Sequence, residues 1–336
     1  MHVRNAVDKP TRRGRILRAL GTAGACLLVI TSAPANASET DQFLAMDVKL
    51  DDSARALNRF LNTEAIKFLA EENARPNPVE SPERLTEKYY FYLFKGLYAS
   101  RLRSWLHTSD KVDRYPDNSV GYFKHLRMSI FGVSSFPFIL PMSRTIRVGD
   151  VHFGIDKMGH FWGFGRRYFT RYLRLREQGL TEEEAMQKVV MRGFLVERYF
   201  VGNVVDGIFS YADLEANFQG MMLARALCDE EDPYFKRLDD TWILARPIDI
   251  QPYITPGFDE SYNPCHYIGR RKKHVFKVLR RDYCDTFNLP IVQERFARYD
   301  TYPRSFSQKV IDQFYAKRGK DPRELQSIEV ICGCSE

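Results

Sequence analysis

Residues 154–220 constrain this chain more than any other stretch. They read as three helices with polar residues at matched spacings and a glycine on each polar face. Asp156 and His160, Gly193 and Glu197, and Asp213 and Asn217 each lie four apart, and positions three or four apart share one helix face. Gly163, Gly193 and Gly220 sit on those faces. A glycine inside a helix costs about 1 kcal/mol relative to alanine, so close approach of neighbouring backbones is the expected reason for all three. Where the glycine faces meet, His160, Glu197, Asp213 and Asn217 meet with them, shielded from water, and buried groups of that kind need partners.

Local signals fix the ends of these helices. Asp156 reads as the N-cap of the first and Gly179 as its stop. Thr181-x-x-Glu184 is a capping box for the second, running to about Gly202, and Ser210 caps the third, ending near Cys228. Upstream, Leu57, Phe60, Leu61, Ala65, Phe68 and Leu69 give residues 53–73 a helical period. Ser81-Pro82 opens a second helix, expected to run to about Trp105 and to be central. Alternation across Thr145–Val148 and Val151–Phe153 predicts a small hairpin. After Asp229 five prolines punctuate an extended segment holding Asp259 and Glu260, a pattern expected of a binding loop or lid, and helices follow near 268–286, 290–299 and 303–318. The fold class is therefore mainly α: a multi-helix core around a glycine-packed three-helix unit (156–228), a hairpin, a proline-rich segment and further helices.

The order D-K-x-x-H-F, then a mid-helix glutamate, then S-x-x-D-L-x-x-N-x-x-G resembles the YfiM-type envelope lipoproteins and, more distantly, VanZ-like proteins. The resemblance rests on Asp156, Lys157, His160, Phe161, Glu197, Ser210, Asp213, Leu214, Asn217 and Gly220, within about 65 of the 336 residues. It implies a shared polar site and brings no settled reaction. VanZ-like proteins cross the membrane several times, whereas this sequence has no such span after its N-terminal region.

Residues 1–37 read as an export signal: a basic stretch from Arg4 to Arg18, an apolar run from Ala19 to Ile30, and Ala35-x-Ala37 as a cleavage site before Ser38. Cys26 offers a lipoprotein alternative, but Ala23 stands where a large aliphatic residue is usual. The expectation is a periplasmic or envelope-associated protein with a helical core over 38–228 and a C-terminal part, 229–336, packed on it. The whole chain has 50 basic and 43 acidic side chains. The signal holds six of the former and Asp8, which leaves 44 against 42. The excess that would point to nucleic acid disappears with the signal, and no nucleic-acid partner is expected. Cys228, Cys265, Cys284, Cys332 and Cys334 follow the signal. Some should pair in an oxidising compartment, with a staple from the tail to Cys265 or Cys284 favoured.

Two readings of the central residues stand side by side. In the first, His160, Glu197 and Asp213 are catalytic candidates: histidine ordinarily titrates nearest neutrality and would act as general base, with a carboxylate orienting it. Asp156, Lys157, Arg198, Asp206, Ser210, Asn217, Asp259 and Glu260 are ligand-binding candidates, Lys157 or Arg198 stabilising an anion. His160 with Asp156, Glu197, Asp206 or Asp213 is an oxygen-rich set that also suits a divalent cation such as Mg²⁺ or Mn²⁺. In the second, the protein is a scaffold whose polar cluster only fixes helix packing, Asp156 and Asp213 serving as caps. Arg270, Arg271, Lys272 and Lys273 begin a basic amphipathic helix, read either as a solvated face or as a contact with anionic lipid or envelope glycan.

Overall fold

The computed structural model describes residues 39–95, 100–132, 142–198, 207–319 and 321–333. The export-signal reading with Cys26, Asp206, most of the connection 203–209, and Cys334 lie outside them.

The architecture is mainly helical with small two-stranded pairings. Strand β1 (Glu39–Thr40) pairs in parallel with β2 (Met142–Ser143). Between them lie α1 (Ala54–Asn73), α2 (Pro82–Leu93), α3 (Arg101–Thr108) and α4 (Tyr122–Met128). The hairpin β3 (Thr145–Val148) and β4 (Val151–Gly154) forms as expected and feeds directly into α5 (Ile155–Gly159). A widened π-helical turn, His160–Phe164, joins α5 to α6 (Gly165–Glu177). Helix α7 (Glu182–Val196) carries the Thr181–Glu184 capping box. Strand β5 (Ile208–Phe209) precedes α8 (Tyr211–Leu227), capped by Ser210 Oγ, which accepts from Asp213 N. Gly179, at φ +84°, stops α6 in the left-handed conformation that glycine favours.

After α8 comes a hairpin that the proline-rich composition concealed, β6 (Phe235–Leu238) and β7 (Thr241–Leu244). Its turn is Asp239-Asp240, both at positive φ, a conformation that aspartate tolerates better than most side chains. β8 (His266–Tyr267) pairs with β5, and α9 (Gly269–Asp282), α10 (Cys284–Phe287), α11 (Pro290–Tyr299), α12 (Phe306–Ala316) and α13 (Ile328–Ile331) complete the chain. The predicted tail staple is the Cys284–Cys332 disulfide, while Cys228 and Cys265 are free thiols. Among the described residues no helix is long and apolar enough to cross a membrane.

Two expectations change. The second helix ends at Leu93, not near Trp105. Phe94 turns extended, and Ser100 Oγ caps a new helix by accepting from Arg103 N while donating to Leu93 O. The proline-rich segment around Asp259 and Glu260 is no exposed lid, since residues 256–261 are buried. Glycine packing holds the centre together. A Cβ on Gly165 would lie 2.8 Å from Gly220 Cα, and one on Gly220 would collide with the Phe161 carbonyl, so α6 and α8 touch backbone to backbone. Tyr90 closes the contact by donating to Gly220 O (2.6 Å), and Trp162 packs against the Tyr89 and Tyr90 rings.

Candidate functional site

The first turn of α5 sets a lysine at the centre of a sealed ionic group. Gly154, not Asp156, is the N-cap, which leaves the Asp156 carboxylate free to turn inward. Lys157 Nζ lies 2.7 Å from Asp156 Oδ2, 2.7 Å from Asp213 Oδ1 and 2.6 Å from Glu260 Oε1, with the lysine side chain wholly buried. Thr40 Oγ1 donates to Asp156, and Ser210 Oγ donates to Glu260 (2.7 Å). Glu39 is buried close enough to feel all four of these charges. One ammonium thus faces four carboxylates. Burial, with the neighbouring carboxylates, drives Glu39 and Glu260 above their ordinary range. Asp213 is also penalised by burial, but His160, Lys157 and Ser210 together hold it below the usual carboxylate range. Burial weakens the Lys157 ammonium less than its carboxylates strengthen it, so its pKa rises.

His160 stands at the rim of this group. Its Nε2 is 3.3 Å from Asp213 Oδ2, and its Nδ1 has no hydrogen-bond partner among the described residues. The ring stacks on Phe164 (5.1 Å, 12°), and the Arg167 guanidinium lies 4.8 Å from the Phe164 centroid. A π-type turn, which recurs at functional sites, therefore leads from the buried ions towards the surface.

On the surface side Phe164 and Arg167 line a cleft of about 470 Å³ formed by α6, α7 and α8. Val189 and Val196 give it an apolar wall, and Glu197 and Asn217, both buried, also line it. Five arginines complete the lining: Arg166, Arg167, Arg171, Arg174 and Arg192. None of the five forms an ion pair among the described residues, and Arg171 Nε and Asn217 Oδ1 are buried without a hydrogen-bond partner there. Tyr168, whose hydroxyl occupies the space that a Cβ on Gly193 would need, connects the two regions. Burial raises its phenol pKa, and the carboxylates Glu197 and Asp213 add to the rise.

The structure thus divides the predicted residues into two neighbouring groups. Asp156, Lys157, Ser210, Asp213 and Glu260 form the sealed group with His160 at its edge, and Glu197 and Asn217 belong to the cleft. Arg198 is elsewhere, 3.5 Å from Tyr315 Oη on α12. Asp259 is in a separate buried network, accepting from Ser261 N (2.9 Å) and Tyr299 Oη (3.2 Å) near Arg295. Of the carboxylates considered for Mg²⁺ or Mn²⁺, Asp156 and Asp213 face the Lys157 ammonium and Glu197 lines the cleft, and among the described residues no three His, Cys, Asp or Glu side chains are arranged to hold a metal ion. On α9 Arg270 is exposed, but Arg271 turns inward, buried against the Phe131 ring.

Sequence reasoning passed over Glu39, Thr40, Asp41 and Gln42, which enter from the N-terminal side, and the arginine cleft itself. The cleft had a visible signal. Arg167, Arg171 and Arg174 repeat at helical spacing, answered only by Glu177 three residues beyond Arg174, and like charges at that spacing oppose helix formation. Compared with protein-family models, curated proteins and solved structures, the chain finds no match.

Proposed function

We propose that this is an exported, envelope-associated protein that holds an anionic ligand, the acid group of an envelope lipid or glycan, in the arginine cleft. The observation that carries the reading is the five arginines around one cleft, without ion-pair partners among the described residues. Guanidinium groups bind phosphate and carboxylate bidentately, and five arginines against the single carboxylate of Glu197 leave a concave site with an excess of positive charge, which concentrates anions. Phe164, Val189 and Val196 supply an apolar wall for the uncharged part of the ligand, and Asn217 Oδ1 supplies an acceptor. The disulfide supports an oxidising compartment, and the resemblance to YfiM-type and VanZ-like proteins points to the same helices.

The sealed Lys157 group favours the scaffold reading for the inner part of the site: it orders α5, α8 and the Glu260 segment, and no ligand reaches a wholly buried ammonium. Catalysis has a narrower basis, the His160–Asp213 pair. A carboxylate behind an imidazole holds it for proton transfer, and Nδ1 is the nitrogen without a partner. In this reading His160→Asn abolishes any turnover while anion binding in the cleft, which His160 does not line, persists.

The test of binding is native mass spectrometry of protein purified from the envelope fraction. A co-purifying anionic ligand is expected with the native chain and absent with Arg171→Gln/Arg192→Gln. A native protein free of any adduct, whose melting temperature is also indifferent to phosphorylated lipids and glycans, would leave the scaffold reading in place.

A further inference from the structure

Helix α9 carries a second basic surface, distinct from the cleft. Val275 and Leu279 bury its inner side, Arg271 turns inward with them, and the Cys284–Cys332 disulfide ties the following turn to the C-terminal α13 region. On its outer side Lys272, Lys273, Lys277, Arg280 and Arg281 surround Phe276 in an open groove lined by no carboxylate. Arg281 pairs with Asp282 (2.6 Å) and Arg280 donates to Ile331 O (3.2 Å). The three lysines make no ion pair among the described residues, and Lys272 rests over the Phe276 ring (5.1 Å).

We infer that this face docks on an anionic lipid bilayer. The cations run from position 272 to 281, about 14 Å along a helix at 1.5 Å per residue. That spread matches several phosphate groups on a surface, whereas a single small anion would touch only one or two of the side chains. A half-buried phenylalanine among lysines is the arrangement of an interfacial helix, its ring reaching the headgroup boundary while the ammonium groups meet the phosphates. Because α9 is packed and cross-linked, its charges are held in place before contact. The proposal is independent of the ligand in the cleft.

The test is co-sedimentation of the full chain with phosphatidylcholine vesicles, with and without phosphatidylglycerol. Binding is expected only with phosphatidylglycerol and should weaken as salt rises. Lys272→Gln/Lys273→Gln/Lys277→Gln should bind about a hundredfold more weakly, from the typical contribution of a lysine near an anionic membrane. Lys124→Gln/Lys188→Gln/Lys236→Gln removes the same charge from exposed positions elsewhere and should bind as the native chain does. Equal loss in both variants would reduce the effect to net charge and overturn the proposal. No binding to phosphatidylglycerol, or binding to a soluble anionic glycan in preference to vesicles, would also overturn it.

Discussion

Lys157 has three carboxylates within 2.7 Å and no exposed surface. Removing one member of such a buried group leaves the others uncompensated, which costs about 3–5 kcal/mol. Lys157→Met, similar in length and uncharged, should therefore lower stability by that amount in urea unfolding. A loss under about 1 kcal/mol would mean that the carboxylates are already neutralised by protons. Buried carboxylates in and near this group set a pH dependence. Burial raises Asp41 to about 7 from 3.8, against the three backbone N–H groups it accepts, and Glu39 and Glu260 are raised as well. A raised carboxylate binds more protons in the folded state, so its contribution to stability declines as pH climbs from 3.8 towards 7. Asp213 is lowered, and its contribution is lost as pH falls below its ordinary 3.8. Burial pushes His107 and His125 down to about 4 and His152 to about 3, which acts in the opposite sense over the same range, so the carboxylate part is read as a difference. The urea midpoint of Asp41→Asn should improve relative to the native protein as pH climbs from about 4.5 to 7, and a difference that stays constant would contradict the raised carboxyl. Helical spacing made the meeting of His160 and Asp213 legible, but it grouped Glu197 and Asn217 with them, which line the cleft instead, and did not bring Lys157 to the centre. Glu39 and Glu260 were not, since they arrive from irregular segments more than a hundred positions from Lys157, where no periodicity reports which way a side chain turns.

At the scale of elements, glycine was read correctly as a packing residue but not always with the right neighbour. Backbone meets backbone at Gly220, and at Gly165, which the spacing argument did not single out. Gly163 instead admits the Phe94 ring and Gly193 the Tyr168 hydroxyl. Spacing shows which face a glycine occupies and is silent about what lies opposite. Gly220→Ala should cost about 1–3 kcal/mol or prevent folding, because the Phe161 carbonyl cannot move without unwinding the π turn. Gly163→Ala should cost less, since its Cβ would stand 3.0 Å from the edge of a ring. Thermal melting of the two variants compares them, and equal losses would contradict the backbone-contact assignment. The β6–β7 hairpin was missed for a different reason. Proline-rich composition suggested irregular chain, although Asp239-Asp240 between Phe235–Leu238 and Thr241–Leu244 is a readable two-residue turn.

For the whole molecule, residues near both ends of the described chain pack into the fold. Thr40 donates to Asp156 and Asp41 accepts from Ile130 N (2.6 Å), while the disulfide closes a separation of 48 residues between α9–α10 and the tail. Cys284→Ser/Cys332→Ser should lower stability by about 2–4 kcal/mol, and unfolding curves that coincide with the native protein's would show that packing alone holds the C-terminal helices. The mainly α class and the β3–β4 hairpin could be read from local signals, while the cysteine count pointed to a tail staple but left its partner open between Cys265 and Cys284. The division of the polar residues into a sealed ionic group and an open cleft could not, because it depends on the depth at which each helix face is covered.

The central claim is that the arginine cleft is built for an anion, and calorimetric titration with a short-chain phosphatidic acid tests it directly, with the matching phosphatidylcholine as control. The native protein should bind the phosphatidic acid saturably and ignore the control. Arg171→Gln/Arg192→Gln should bind about a hundredfold more weakly, from the loss of two charge-assisted contacts, with its melting temperature unchanged. No saturable binding by the native protein, or equal binding by the variant, would contradict the claim.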